Sequence, residues 1–192
     1  GFTSLSERVD PEVVVDLLNQ YLTVMTETIF RHGGTVDKFE GDGILVFFGA
    51  PQLHADHPER AVRTALEMRD RLAELQGPWQ ELSDEPLRIG VAINTGEVML
   101  GNIGSSRRMD YTVIGDTVNL AARLQDLTKE FGASVLISGN TQERVKHMCR
   151  LRNLGIVEVR GRQQHVDLYE VESLAVETDA PSPETTPIQS SN

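Results

Sequence analysis

The 192-residue chain carries 18 basic and 29 acidic side chains, a formal net charge of −11, and a single cysteine, Cys149. That charge balance repels phosphate backbones and anionic membrane surfaces, and a lone cysteine excludes an intramolecular disulfide or an all-cysteine zinc site. No apolar run reaches the length of a membrane span and no signal-peptide pattern opens the sequence, so a cytoplasmic domain that does not bind nucleic acid is expected.

Asp10 is placed to cap a first helix, with Pro11 at its first position and Glu12 favourable to the dipole. Val14, Leu17, Leu18, Tyr21, Met25 and Ile29 recur at spacings of three and four, and Gly33-Gly34 stops the run. Thr35 to Phe39 and Ile44 to Phe48 read as strands around Gly41-Asp42-Gly43, a hairpin signal. Residues Pro51 to Pro58 read as loop. A second amphipathic helix runs from Ala61 to Leu75 and is expected to end at Gly77-Pro78. Strands are predicted at Leu87 to Ile93, Glu97 to Leu100 and Met109 to Ile114, then a helix from Asp116 to about Glu130 closed by Gly132. Val135 to Ile137 and the region Ile156 to Val171, broken by Gly161, complete the strands. This order suggests α+β architecture, a βαββαβ core with appended strands and an antiparallel sheet carrying helices on one face. Residues 1–172 form the expected domain. Ser173 to Asn192 holds three prolines and no basic residue, which reads as a disordered tail or linker.

Several chemistries are absent from the sequence. There is no G-x-x-x-x-G-K-[ST], no complete dinucleotide fingerprint and no G-x-S-x-G elbow. His54, Asp56 and His57 match no structural zinc spacing and read as a polar helix entry with an N-cap. Asp42, between two glycines at a hairpin tip, is either a turn aspartate bonded to its own backbone or a carboxylate open to a ligand. Asn119 and Arg123, four apart on one helix face among small apolar residues, are either a solvated edge or a fixed amide and guanidinium for a phosphoester.

Together these segments carry more than each does alone. Gly1-Phe2-Thr3-Ser4-Leu5-Ser6, Val36-Asp37-Lys38-Phe39-Glu40-Gly41-Asp42 and Tyr111-Thr112-Val113-Ile114-Gly115-Asp116-Thr117-Val118-Asn119-Leu120-Ala121-Ala122-Arg123 resemble the class III nucleotidyl cyclase catalytic domain, in order and spacing, over about residues 1–171. The resemblance implies a ferredoxin-like core that pairs head to tail as a homodimer with composite active sites. It implies conversion of a nucleoside triphosphate to a 3′,5′-cyclic monophosphate and pyrophosphate with two Mg²⁺ or Mn²⁺ per site. It makes Asp42 a metal carboxylate, and gives the backbone N–H groups of Phe2 and Thr3 and the side chain of Arg160 to the terminal phosphates. Arg123 is implied to stabilise charge on the α-phosphate and Asn119 to orient the ribose. Lys38 and Thr112 fall at the base-reading positions. A lysine donor suits the unprotonated N1 of adenine and a threonine oxygen can accept from its N6 amine, so ATP is the expected substrate.

The sequence departs from the pattern at three places. A second metal-binding Asp of the family falls about three residues before Gly1, so the 192-residue chain is expected to bind metal poorly. Arg160 stands where Lys is more frequent, and Glu40 where an aliphatic residue is common. A regulatory domain upstream in the parent protein is expected. The alternatives are a guanylyl cyclase, or a non-catalytic cyclase homology domain that serves as a regulatory dimerisation module.

Overall fold

The structure, a computed structural model, describes Leu5 and residues 8–158 and 165–175. Helix α1 (Pro11–Arg31) starts as predicted: the Asp10 carboxylate accepts from the Glu12 N–H at 2.9 Å and Pro11 fills the first turn. It buries Val14, Leu17, Tyr21, Met25, Thr28 and Ile29. At its end the chain doubles back so closely that a Cβ on Gly34 would stand 2.7 Å from the Phe48 ring and 2.8 Å from Ile29. Only glycine fits there.

Strands β1 (Thr35–Glu40) and β2 (Gly43–Phe47) form an antiparallel hairpin whose two-residue turn is Gly41-Asp42. Gly41 has φ +64 and Asp42 stays at negative φ, the signs of a II′ turn. The ladder slips at one point: Val36 faces Val46 while Lys38 faces Leu45, leaving Asp37 as the extra residue of a β-bulge.

Helix α2 (His57–Arg71) passes through a 3₁₀ turn (Leu72–Leu75) into α3 (Gln76–Gln80). Gly77-Pro78 therefore does not end the helical run. Pro78 sits in the first turn of α3, where its missing N–H has no partner to lose. The predicted strand from Leu87 shrinks to β3 (Val91–Ile93), because Gln76 takes both backbone groups of Leu87, at 3.2 and 2.8 Å.

Strands β4 (Met99–Ser105) and β5 (Arg108–Ile114) make a second hairpin, followed by α4 (Asp116–Phe131), which ends on Gly132 at φ +61. Then come β6 (Val135–Ser138), α5 (Gly139–Val145), β7 (Cys149–Glu158) and β8 (His165–Leu174). Helix α5 was not foreseen; it is a short helix capped by Ser138, whose hydroxyl accepts from Thr141 N at 3.4 Å. Strand β7 starts earlier than predicted, and β8 includes Ser173 and Leu174, opposite Arg150 and Cys149, so the last strand runs two residues past the expected boundary.

The central sheet has the order β3-β6-β8-β7, parallel at β3–β6 and antiparallel elsewhere. Its helices cover both faces rather than one. Val135 and Ile137 pack with Val62, Ala65 and Leu66 of α2, while Leu136 packs with Leu120 and Leu124 of α4. A strand with no polar residue until Ser138 needs two apolar faces. Helix α1 instead lies against the β1–β2 hairpin through Val36, Ile44 and Val46.

Candidate active site

The bulge in β1 turns Asp37 away from its own hairpin and toward β5. Its side chain is fully buried. One carboxylate oxygen accepts from Thr112 Oγ1 at 2.9 Å and the other from Val113 N–H at 3.1 Å. The Lys38 ammonium stands 3.4 Å from the same oxygen that Thr112 holds. The two residues placed at base-reading positions therefore meet on one oxygen of a third. Lys38 is 44% exposed and keeps N–H groups free for a ligand, whereas Thr112 is 6% exposed.

Gly101 lies directly opposite Thr112 in the β4–β5 ladder, hence on the same sheet face. A Cβ there would meet nothing within 4 Å. The missing side chain leaves open space beside the threonine. Asp37 and Gly101 escaped the residue-by-residue reading. The legible signal for Asp37 was an aspartate between Val36 and Phe39, a residue type that strands avoid. Gly101 gave no signal without the register.

Asp42 stands exposed on the hairpin turn with no hydrogen bond or ion pair to any described residue. Its charge reaches the phenol of Tyr21, the only tyrosine on α1. Burial first, and the Asp42 carboxylate second, push that phenol up from 10.0 to about 12.

Asn119 and Arg123 lie on the second and third turns of α4, which starts two residues after β5. Its first turn is pinned at Thr117 by two hydrogen bonds, and a third holds one of the partners. Thr117 Oγ1 donates to Glu97 O at 2.7 Å, Asn94 Nδ2 donates to Thr117 O at 3.0 Å, and Ser138 Oγ donates to Asn94 Oδ1 at 2.7 Å. Asn119 is exposed and Arg123 half-buried, and neither side chain bonds to a described residue. A guanidinium on a fixed helix without an acidic partner is a ready donor for an anion. No contact among the described residues joins Asp42 to Asn119 or Arg123. Phe2, Thr3 and Arg160 lie outside the described residues.

Asp42 is the one expected metal ligand within the described residues. These contain no group of three His, Cys, Asp or Glu side chains that could hold a metal ion. Asp56 is at the N-cap position of α2 but gives its carboxylate to Arg60 Nε at 2.8 Å instead of to the backbone.

A family model of the adenylate and guanylate cyclase catalytic domain matches residues 1–173. The chain belongs to that family, and its fold is the α+β fold of class III cyclase domains. It is 36% identical to Adenylate cyclase 1 of Rhizobium meliloti over 88% of this chain and 26% of that protein. It is 30% identical to an adenylate cyclase of Anabaena cylindrica over 90% of this chain and 35% of that protein. The chain thus spans about a quarter to a third of the length of these curated relatives. Among solved structures, the adenylyl cyclase CyaB of P. aeruginosa superposes with a TM-score of 0.79 at 37% identity, covering 89% of this chain and 88% of that one. The guanylyl cyclase Cya2 superposes with a TM-score of 0.79 at 39% identity, covering 93% and 90%. Among the described residues no helix is long and apolar enough to cross a membrane.

Proposed function

We propose that this domain is an adenylyl cyclase that converts ATP to 3′,5′-cyclic AMP and pyrophosphate. The observation that carries the reading is the meeting of Lys38 and Thr112 on one oxygen of Asp37. A donor-only ammonium beside a hydroxyl oxygen matches the N1 acceptor and N6 donor of adenine. In the reaction the ribose 3′-hydroxyl gives up its proton to water, its oxygen bonds to the α-phosphorus, the bond from the α-phosphorus to the α,β-bridging oxygen breaks, and pyrophosphate leaves with that oxygen. Arg123 donates to the oxygens on which charge grows, and Asn119 holds the ribose. Each such preorganised donor is worth on the order of 10²–10³ in rate. Bound Mg²⁺ or Mn²⁺ would activate the 3′-hydroxyl and hold the triphosphate, with Asp42 as one ligand. Phe2 and Thr3 N–H groups and Arg160 would take the terminal phosphates.

One chain offers Asp42 and Arg123 with no contact between them, which fits a two-fold homodimer whose sites take Asp42 from one subunit and Lys38, Thr112, Asn119 and Arg123 from the other. A cytoplasmic placement and a regulatory segment upstream belong to the same proposal.

A guanylyl cyclase is the second reading, favoured by the equal fold similarity to Cya2. One assay separates the two. The parent protein, including the segment before Gly1, is given ATP and GTP separately with Mg²⁺ or Mn²⁺. Cyclic AMP and pyrophosphate from ATP alone is the expected result, and cyclic GMP from GTP would replace it with the second reading.

A further inference from the structure

We infer that Asp37 sets base choice by fixing the direction of the Thr112 hydroxyl; this rests on the reading of Lys38 and Thr112 as the base-reading pair. A threonine hydroxyl has one hydrogen and can turn it either way, so by itself it accepts from an amine or donates to a carbonyl. It does not discriminate. Asp37 removes that freedom. Its carboxylate is fully buried, and the three groups that reach it, Thr112 Oγ1, Val113 N–H and the Lys38 ammonium, each supply a hydrogen. The hydrogen of Thr112 is thereby committed inward. Water has little access to compete for it, since Thr112 is only 6% exposed. What the hydroxyl shows a ligand is lone pairs alone.

An acceptor at that point welcomes the 6-amino group of a purine and repels a 6-oxygen. The open space opposite Thr112 at Gly101 lies on the same sheet face. Asp37 touches no substrate in this arrangement; it is a positioning residue that determines specificity.

The Asp37→Asn substitution tests this because its outcome is fixed by a neighbour. Val113 N–H needs an acceptor, so the amide oxygen must take the position of the oxygen it now holds. The amide NH₂ then faces Thr112 and donates to it, which turns the threonine hydrogen outward. The pocket should change from acceptor to donor at the 6-position. The probe is 6-methoxypurine ribonucleoside triphosphate, which keeps N1 unprotonated toward Lys38 and replaces the amine with an oxygen acceptor. Its equilibrium binding is compared with that of ATP, using non-reactive α,β-methylene forms of both and the parent protein.

The expected result is a preference for ATP that falls about tenfold or more in Asp37→Asn, and does not fall further when Asp37→Asn is added to Thr112→Val. An unchanged preference in folded Asp37→Asn overturns the inference. Should Asp37→Asn fail to fold, Thr112→Val decides alone. A committed hydroxyl predicts weaker ATP binding but stronger binding of the methoxy compound, whereas a freely turning hydroxyl predicts that both weaken. If Thr112→Val and Lys38→Glu leave both ligands unaffected, the base-reading pair itself is wrong, which is a different failure from that of Asp37.

Discussion

The central sheet and the two hairpins are built on opposite terms. In β6, Val135, Leu136 and Ile137 are fully buried between α2 and α4, and Ser138 is spent on Asn94 and on the cap of α5. In β1 and β2 every residue is at least partly exposed, although the side chain of the bulged Asp37 is fully buried, and Phe39 is 50% exposed. The β4–β5 hairpin exposes Met99, Met109, Tyr111 and Ile114. Every side chain assigned to substrate or metal within the described residues lies on these hairpins or on the exposed side of α4. Strand β6 is enclosed on both faces, while the hairpins present apolar surface and the unpaired Asp42 carboxylate at the surface of the chain. Under the proposed site assignment stability and function occupy different residues, and substitutions can separate them.

The widest separation is expected at Asp42 and Arg123. Neither has a partner among the described residues, so Asp42→Ala and Arg123→Ala should fold normally yet lose activity by on the order of 10²–10³ or more. Under the composite-site proposal, mixing the two dead proteins regenerates one site free of both substitutions. Random exchange then restores up to about a quarter of wild-type turnover. No recovery despite confirmed subunit exchange would place the whole site within one chain.

The opposite result is expected in the sheet. Leu136→Ala removes a fully buried side chain between β6 and α4, a cavity that costs about 2–5 kcal/mol. The midpoint of denaturant unfolding should fall, while the ratio of ATP to GTP turnover in the folded fraction stays put. A changed ratio would show that the sheet and site are coupled.

Gly101→Leu sharpens the comparison, because it should move stability and function in opposite directions. The position has ordinary negative φ and open space, so a side chain in the strand should add up to about 0.5–1 kcal/mol of stability. The same side chain fills the gap beside Thr112, and nucleotide binding should weaken about tenfold or more. Binding that survives intact would mean that the base does not lie over this face.

How much of this was legible beforehand follows the same division. Helix α1 is legible from its Asp10 cap, its apolar period and Gly33-Gly34, and α4 from its closing Gly132. The hairpin at Asp42 is visible from its glycines, and the family motifs point to Lys38, Thr112, Asn119 and Arg123 as candidates by position. What failed was anything decided across the chain. Leu87 alternates like a strand residue, yet Gln76 takes its backbone groups. Gly77-Pro78 reads as a stop, yet proline is welcome in a new first turn. The two-sided burial of β6 depends on which helix each face meets, which no local period encodes. Asp37 is the clearest case: its role arises from a bulge and from residues 75 and 76 positions later.

The smallest expected effect joins the two regions directly. Tyr21 belongs to the core side of α1, and Asp42 to the exposed hairpin above it, yet the carboxylate helps hold the phenol neutral. Because the folded value of Tyr21 is raised, to about 12 from 10.0, its stabilising contribution is complete below the unfolded value and is lost as pH rises from 10 toward about 12. Burial is the first cause and Asp42 the second, so Asp42→Asn should lower the phenol's titration midpoint while leaving it above 10.0. The variant should then lose less stability across that alkaline window than the parent does. Cys149, raised by burial from 9.0 to about 11, loses its own contribution over a neighbouring range in both proteins and cancels from the difference. Ultraviolet phenolate absorbance against pH, with Tyr21→Phe identifying the signal among the three tyrosines, reads the midpoint. Urea unfolding at the same pH values reads the stability. A Tyr21 midpoint that Asp42→Asn leaves unmoved would mean that the hairpin tip does not stand over the phenol, and that core and site are electrically separate as well.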